Sequence, residues 1–381
     1  MSHSNPLEAF KLNTFFLKAL TVWHVENPTY RLYKIFVVFS FAVTFFSAWI
    51  CALVNYNVSE ISENFYYLPA MSTGPLKYAI FQKNFTNIVN LTHLLETQYA
   101  KIRTENQKKI FDESVIFERK VMKNFAILII PTCVAMFIVP YFQDRREMPL
   151  IVWFPFDYKQ PVVFDLVYFI LAFACISIAY TNVSTDAFFY TCLIQIETQC
   201  EIVSDTLRNL DKIVTNGFRN VAESRKIFIE CIEQYNVILR YTKIVSDTYQ
   251  GILVVQFFCS LVALCLTMYK LSLADPGSQD FIKYFVFKLG VISEIFMYCY
   301  FGHRVLEKTE DLYFAIYEMH WYDASKQIQN EVFIFMGQLE KPIVFYVANI
   351  FSLDLDTFKK IMQKAWSFFT ALKNMHDIRN N

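Results

Sequence analysis

The sequence predicts an all-α membrane protein with seven transmembrane helices, a cytoplasmic N-terminus, an extracellular C-terminus, projecting cytoplasmic helices and a broken seventh helix. Three observations predict this fold class: apolar windows long enough to cross a bilayer, cations that concentrate in alternate loops, and apolar stripes at helical spacing outside the windows. Composition agrees, because 55% of the 381 residues are hydrophobic and 18% are charged, against roughly 25% charged in an ordinary soluble domain.

The first three spans differ in how clearly the sequence marks them. Residues 35–55 carry no charged side chain, over a length that fits the roughly 20 residues needed to cross a bilayer. Residues 64–82 are a weaker candidate, because two prolines and a glycine interrupt them. Residues 125–142 are again free of charge, and their prolines are acceptable as kinks where neighbouring helices satisfy the freed carbonyls.

The next three spans are predicted over residues 162–181, 251–269 and 281–301. The first contains one charge, Asp165, the second none, and the third contains Lys283, Lys288 and Glu294. Charged residues at membrane depth usually pair with one another. Asp165, Lys288 and Glu294 are therefore candidates for a buried charge cluster.

The seventh span is predicted to be broken. The apolar run 342–351 is too short to cross, and a helix restarts at Ser352–Asp356 and runs to about Asn374. A lysine at the bilayer centre costs roughly 2.5–3.5 kcal/mol, so the polar stripe of this helix is expected to meet water. Either it lines a pore, which needs a ring of subunits, or it lies at the interface with its lysines reaching head groups. The predicted stripe comprises Lys360, Gln363, Lys364, Ser367, Thr370, Ala371, Lys373 and Asn374.

The distribution of Lys and Arg predicts the orientation. Cations concentrate in the N-terminal segment and within 83–123, 208–243 and 304–341, whereas the first loop, 56–63, has none. Cation-rich loops are cytoplasmic, so the N-terminus is expected inside and the C-terminus outside. This is opposite to a G-protein-coupled receptor, and the triplet Asp144-Arg145-Arg146 is interpreted as an ordinary outer loop.

The spans and loops divide the chain. Residues 1–182 hold the N-terminal segment and spans one to four, 251–301 hold spans five and six, 342–374 form the broken span, and 375–381 form an extracellular tail; residues 183–250 and 302–341 are cytoplasmic helices, here called the anchor region.

Apolar stripes recur at helical spacing in the anchor region. They follow Phe189, Leu193, Ile196, Cys200, Val203, Leu207, Leu210 and Val214, then Phe228, Ile232, Tyr235, Leu239 and Thr242, and finally Ala315, Met319, Tyr322, Ile328, Val332, Phe335 and Leu339. The first is expected to stop at Asn216-Gly217, and the second to continue into span five. The stripes are buried either within one subunit or between subunits.

Several chemistries find no support in the sequence. The glycines do not form a phosphate-binding loop, neither GxSxG nor HExxH occurs, and the cysteines never pair as CxxC, so no enzyme, cofactor, zinc site or disulfide framework is expected. With 35 basic and 35 acidic residues, nucleic-acid binding is not expected either. A secondary transporter stays a rival, although no internal repeat accompanies the broken helix.

The C-terminal part resembles the insect odorant receptors. The resemblance lies in Tyr298-Cys-Tyr-Phe-Gly-His303, Trp321-Tyr322, Gln338-Leu-Glu-Lys-Pro342, Ser352-Leu-Asp-Leu-Asp-Thr-Phe358 and Phe368-Phe369. It implies an odorant-gated, non-selective cation channel in the plasma membrane of olfactory sensory neurons, working as a heterotetramer with the odorant receptor co-receptor. The chain looks like a tuning subunit, because the co-receptor is longer after span four. A gustatory-receptor-like homotetramer is the alternative.

The resemblance also implies a small volatile ligand in the outer half of the membrane, among spans two to six. Such a ligand needs an apolar, aromatic cavity with few hydrogen-bonding groups. The residues that this depth selects are Met71, Thr73, Cys133, Phe137, Tyr141, Tyr168, Ala172, Phe258 and Tyr284. Asn57, within the sequon Asn57-Val-Ser59 of the first outer loop, is the expected glycosylation site.

Overall fold

The computed structural model describes residues 8–23, 27–54, 66–97, 101–133, 148, 150, 152–158, 160–214 and 220–380. The helices in these residues are α1 (Glu8–Ala19), α2 (Pro28–Val54), α3 (Leu68–Lys83), α4 (Phe85–Thr97), α5 (Glu105–Cys133), α6 (Pro161–Arg208), α7 (Leu210–Ile213), α8 (Val221–Leu273), α9 (Gln279–Glu318), α10 (Lys326–Leu339) and α11 (Leu355–Asn380). Two short strands, β1 (Tyr346–Val347) and β2 (Phe351–Ser352), separate α10 from α11.

Within the described residues, four helices are long and apolar enough to cross a membrane: α2, α6, α8 and α9. They contain the first, fourth, fifth and sixth spans expected from the sequence. The second expected span corresponds to the 16-residue α3, which contains Pro75. The third, 125–142, lies only in part within the described residues.

The membrane helices α6 and α8 continue far beyond the apolar windows that the sequence marks. They have 48 and 53 residues, whereas about 20 suffice to cross a bilayer. The prediction that the second stripe continues into span five agrees with the uninterrupted α8. The first stripe, Phe189 to Val214, is buried throughout against helices of the same chain, so its burial does not require a second subunit.

Two details of the anchor region differ from the sequence prediction. The helix expected to reach Asn216-Gly217 ends at Arg208, and the short helix α7 follows it. At the break the Asn209 side-chain amide donates to the carbonyl and the carboxylate of Asp205. In the third stripe, Tyr322 is 60% exposed, because it lies in a 3₁₀ turn (Trp321–Asp323) that breaks the helical period.

The segment 342–351 is a hairpin rather than the first half of a helix. Tyr346 pairs with Ser352 and Val347 with Phe351 in antiparallel register. The turn between them places Ala348 and Asn349 at φ 54° and 56°, and the Ile350 amide donates to the Val347 carbonyl at 3.0 Å. Two consecutive left-handed residues make a tight turn that reverses the chain before α11.

The central helix is α6, which contacts α1, α2, α3, α5, α8 and α9. Its Phe189 ring lies 4.7 Å from Tyr249 of α8 and 5.6 Å from Tyr298 of α9. Further into the anchor region, the Gln195 amide donates to the buried Glu118 carboxyl of α5 at 2.7 Å. Burial raises the pKa of Glu118 well above its ordinary value, although that hydrogen bond acts to lower it.

Candidate functional site

A second apolar cluster, separate from the main core, lies where α3, α6 and α9 begin and α8 ends. We call it the Tyr66 cluster; its buried members are Tyr66, Tyr67, Leu150, Val152, Val167, Leu171, Cys175 and Tyr284. Partly buried neighbours complete it, among them Met71, Ala172, Leu266 and Phe287.

The local sequence places these helix ends together. α3 and α6 both carry proline in the first turn, where the missing amide is not needed. At the start of α9 the Ser278 hydroxyl accepts a hydrogen bond from the Phe281 amide at 3.1 Å, and Gly277 just before it has a left-handed φ of 89°. The tight connection between α8 and α9 therefore returns the chain to the same end of the bundle.

Aromatic edges dominate the geometry of the Tyr66 cluster. The Tyr66 ring lies 5.3 Å from Tyr67, 5.0 Å from Tyr284 and 5.3 Å from Phe287, each in an edge-on arrangement. The Lys283 ammonium lies 5.9 Å from the centre of the same ring. The cluster therefore offers mainly aromatic area for dispersion contact, together with the hydroxyl groups of three tyrosines, which suits a small aromatic molecule with a polar group.

Three predicted ligand residues, Met71, Ala172 and Tyr284, lie in or against the Tyr66 cluster. Thr73 is buried, but its hydroxyl donates to the Ala70 carbonyl at 2.7 Å. Tyr168 is buried against the rings of Phe164 and Phe169.

Phe258 is not brought to the cluster; it is 69% exposed, because the helix turns it away from the packed face of α8. Phe137, Tyr141 and Asn57 lie outside the described residues, as does the side chain of Cys133.

Sequence reasoning missed several residues of the Tyr66 cluster. Val167, Leu171 and Cys175 follow a spacing of four along α6 and face the cluster, whereas the selected positions Tyr168 and Ala172 lie one residue further along. Apolar residues also flank this stripe on the other faces of α6, so the sequence did not indicate which face of the helix contacts the cluster.

The three charges expected to cluster are not brought together as a trio. Glu294 lies 3.7 Å from the ammonium of Lys77 on α3, a residue the sequence did not single out. The Lys288 ammonium lies 5.3 Å from the ring of Phe285, and Asp165 is partly exposed.

The polar stripe of α11 forms a second candidate surface. The helix is capped by Asp354, which accepts from the Thr357 amide at 2.7 Å and from the Ser352 hydroxyl at 2.5 Å. The exposed members of the stripe are Lys360, Gln363, Lys364, Ser367, Thr370 and Ala371. On the opposite face Ala365 is buried, while Lys373 and Asn374 have side chains outside the described part of the chain.

Comparison with known proteins gives a consistent set of similarities. A family model described as "7tm Odorant receptor" matches residues 57–366. Odorant receptor 46a, isoform A, of Drosophila melanogaster is 23% identical over 96% of this chain and 98% of its own length. Odorant receptor Or1 of Anopheles gambiae is 21% identical over 97% of this chain and 95% of its own.

The fold is also similar to that of a solved structure. The insect olfactory receptor OR5 from Machilis hrabei superposes with a TM-score of 0.85 at 16% identity, covering 95% of this chain and 97% of that one. Its complex with eugenol superposes with the same TM-score.

Proposed function

The chain belongs to the seven-transmembrane odorant receptor family, and from that premise we propose that it is the ligand-binding subunit of an odorant-gated, non-selective cation channel. In this proposal it assembles as a heterotetramer with the odorant receptor co-receptor in the plasma membrane of olfactory sensory neurons. Members of this family are receptors rather than enzymes, and the chain is no enzyme.

The observation that carries the proposal is the Tyr66 cluster. It gathers side chains from four membrane helices at one end of the bundle, and it is separate from the main core. A ligand inserted there contacts the starts of α3, α6 and α9 together, so it can change how these helices pack. The eugenol complex of the Machilis hrabei receptor supports a small aromatic molecule as the class of ligand.

The orientation belongs to the same proposal. With the cation-rich segments inside, the Tyr66 cluster lies at the outer end of the bundle, where a volatile ligand arrives. The broken seventh span then consists of the cytoplasmic hairpin followed by α11, which rises toward the outside. In this arrangement the ligand site and the candidate pore face belong to different helices, and α9 contacts both.

Glycosylation tests this topology. We expect sugar on Asn57 only, although Asn84, Asn90 and Asn182 also head sequons. The Asn84 amide nitrogen donates to the Thr248 carbonyl at 3.1 Å, so it is engaged with α8, and Asn90 is exposed on what we propose is the cytoplasmic side. Mobility shifts after glycosidase treatment of Asn57→Gln and Asn90→Gln variants would distinguish the sites. Sugar on Asn84 or Asn90 would contradict the orientation.

The pore proposal rests on the exposed stripe of α11. A single chain offers one such face, so the conduction path requires several subunits around an axis. Large apolar side chains are exposed on α10 and α11, among them Ile334 at 75% and Trp366 at 62%. Their exposure supports contacts with other subunits in the assembled channel. Exposed apolar side chains of this size mark interaction surfaces where they lie together.

Truncation of Tyr284 tests the ligand site. Tyr284→Ala removes a ring that contacts Tyr66 edge-on, and loss of about 1.5–3 kcal/mol of apolar burial corresponds to roughly a tenfold or larger rise in the half-maximal odorant concentration. Dose–response recordings from cells that co-express the co-receptor measure the change, with surface labelling to normalise for receptor number.

Phe285→Ala is the matched control for Tyr284. It removes a neighbouring ring on the same helix that is 41% exposed, so we expect little change in potency. Equal effects of the two substitutions, or none from Tyr284→Ala for every odorant that opens the channel, would remove the Tyr66 cluster from the ligand site.

The two alternative functions predict different results in electrical recordings and uptake measurements. A gustatory-receptor-like homotetramer would conduct without the co-receptor, and a secondary transporter would accumulate substrate without a ligand-opened conductance. Recording with an odorant panel, with and without the co-receptor, separates all three. We expect ligand-opened current only when both proteins are present.

A further inference from the structure

A buried charged cluster ties three membrane helices together. The Lys77 ammonium on α3 lies 2.6 Å from the Asp186 carboxylate on α6 and 3.7 Å from Glu294 on α9. The Tyr298 hydroxyl, also on α9, donates to the same Asp186 oxygen at 2.5 Å. We call these four residues the Lys77 cluster. The Lys77 side chain is fully buried, and it is not part of the Tyr66 cluster.

Such a cluster constrains position more than it adds stability. Desolvation offsets much of the attraction within a buried ion pair, and apolar replacements are often as stable. The pair does, however, require a particular geometry, because removing one partner leaves an uncompensated charge. The Lys77 cluster therefore favours the arrangement of α3, α6 and α9 in which its four side chains are in contact.

The helices α3 and α6 are already fixed by close packing near the cluster. A Cβ atom added to Gly74, one turn before Lys77, would lie 2.6 Å from the Ile178 side chain and 3.2 Å from its carbonyl oxygen. These two helices thus approach closely without help from charge. α9 is also joined to α6 by the Tyr190–Phe301 ring contact at 5.0 Å and by the ion pair between Arg304 and Glu197. Its connection to α3 runs through Lys77 and Glu294, and this connection is the attachment that depends on the cluster.

The position of α9 matters because this helix contacts both candidate surfaces. Near its start, Tyr284 packs against Tyr66. Between the two α9 residues of the Lys77 cluster, the Phe296 ring lies 5.4 Å from Phe358 in the first turn of α11. One turn after Tyr298, Gly302 packs against Leu353 just before α11. α9 therefore connects the Tyr66 cluster to the start of α11, and the Lys77 cluster lies along this connection.

We propose that the Lys77 cluster is a lock that holds α9 against α3 and α6 in the closed channel, and that Lys77 is a positioning residue for gating. The proposal rests on the proposed function as an odorant-gated channel. Ligand at the Tyr66 cluster must displace α9 relative to α3 and α6, and the lock resists that displacement. Weakening the lock therefore lowers the work of opening.

The test uses the full chain with its co-receptor. Lys77→Met should raise the ligand-free current per surface receptor and lower the half-maximal odorant concentration, each by roughly tenfold, within the usual range of coupling between sites. Tyr298→Phe removes one hydroxyl and should act in the same direction, more weakly. Glu294→Gln removes the charge that Lys77 meets on α9 and should also act in the same direction.

Lys34→Met is the matched control. Lys34 also lies on a membrane helix and donates to Gln82 of α3 at 2.8 Å, but it joins α2 to α3 and does not reach α9. We expect its ligand-free current and odorant potency to equal those of the wild type.

Two further results decide the matter. Wild-type ligand-free current and potency in Tyr298→Phe and in surface-expressed Lys77→Met would overturn the lock, as would a lower potency in either. If Lys77→Met does not reach the surface, Tyr298→Phe and Glu294→Gln decide alone. Absence of any ligand-opened current from the wild-type pair of proteins would instead contradict the proposed function.

Discussion

Replacement of Gly302 by alanine is expected to destabilise the assembled receptor by about 1–3 kcal/mol and to abolish most of its odorant-evoked current. A Cβ atom at this position would lie 2.9 Å from the Cβ and Cγ atoms of Leu353 and even nearer to its carbonyl oxygen. Backbone cannot move aside as a flexible side chain can, so α9 and the segment leading into α11 must separate. The melting temperature of the purified complex and current per surface receptor would measure both effects.

Gly290→Ala on the same helix is the matched control. Within the described residues nothing lies within 4 Å of a Cβ added there, and alanine is a better helix former than glycine by about 0.5–1 kcal/mol. We expect unchanged current and equal or slightly higher stability. A Gly302→Ala receptor with wild-type melting and current would show that this contact is not needed.

Inverting the charge of Lys364 is expected to change ion selectivity. Lys364 is exposed on the polar stripe of α11, with its ammonium 5.7 Å from the ring of Phe351. In the proposed pore Lys364→Glu replaces a cation by an anion in each copy of this subunit. Charge in a confined channel changes local ion concentration strongly, so we expect the permeability of calcium relative to sodium to rise roughly tenfold at low ionic strength. Reversal potentials in ion substitution measure it.

Lys341→Glu makes the same charge change at an exposed residue before the hairpin, outside the stripe, and should leave selectivity unaltered. The alternative locations of the stripe give different results. A lipid-facing position would lower surface expression, and a packed interface would reduce co-purification with the co-receptor. Wild-type selectivity in well-expressed, odorant-responsive Lys364→Glu receptors would place Lys364 outside the conduction path.

The motif Tyr298-Cys-Tyr-Phe-Gly-His303 shows what a sequence motif leaves unexplained. The resemblance identified the family, but the roles of its residues come from contacts with distant segments. Tyr298 donates to Asp186 on α6, and Gly302 leaves room for Leu353. Neither partner is near in sequence, so no local pattern could predict these roles.

The ligand site illustrates the same limit at the scale of one helix. The place of the membrane span within α6 was predictable, because a sufficiently long apolar window marks it in the sequence. Its rotation was not, because the window is apolar on every side. Each residue advances an α-helix by about 100°, so Tyr168 and Ala172 differ in direction from Val167 and Leu171, although their depth is nearly equal.

The sequence by itself determined the family, the helical class, the position of four membrane helices and the apolar stripe from Phe189 to Val214, since composition and helical period are local properties. Only the tertiary structure decided which side chains meet. It brought Tyr66 to Tyr284, placed Lys77 between Asp186 and Glu294, and turned 342–351 into a hairpin. Hydrophobic burial is non-directional and selects depth, whereas close packing and buried charge pairs require particular partners, which exist only once the helices have assembled.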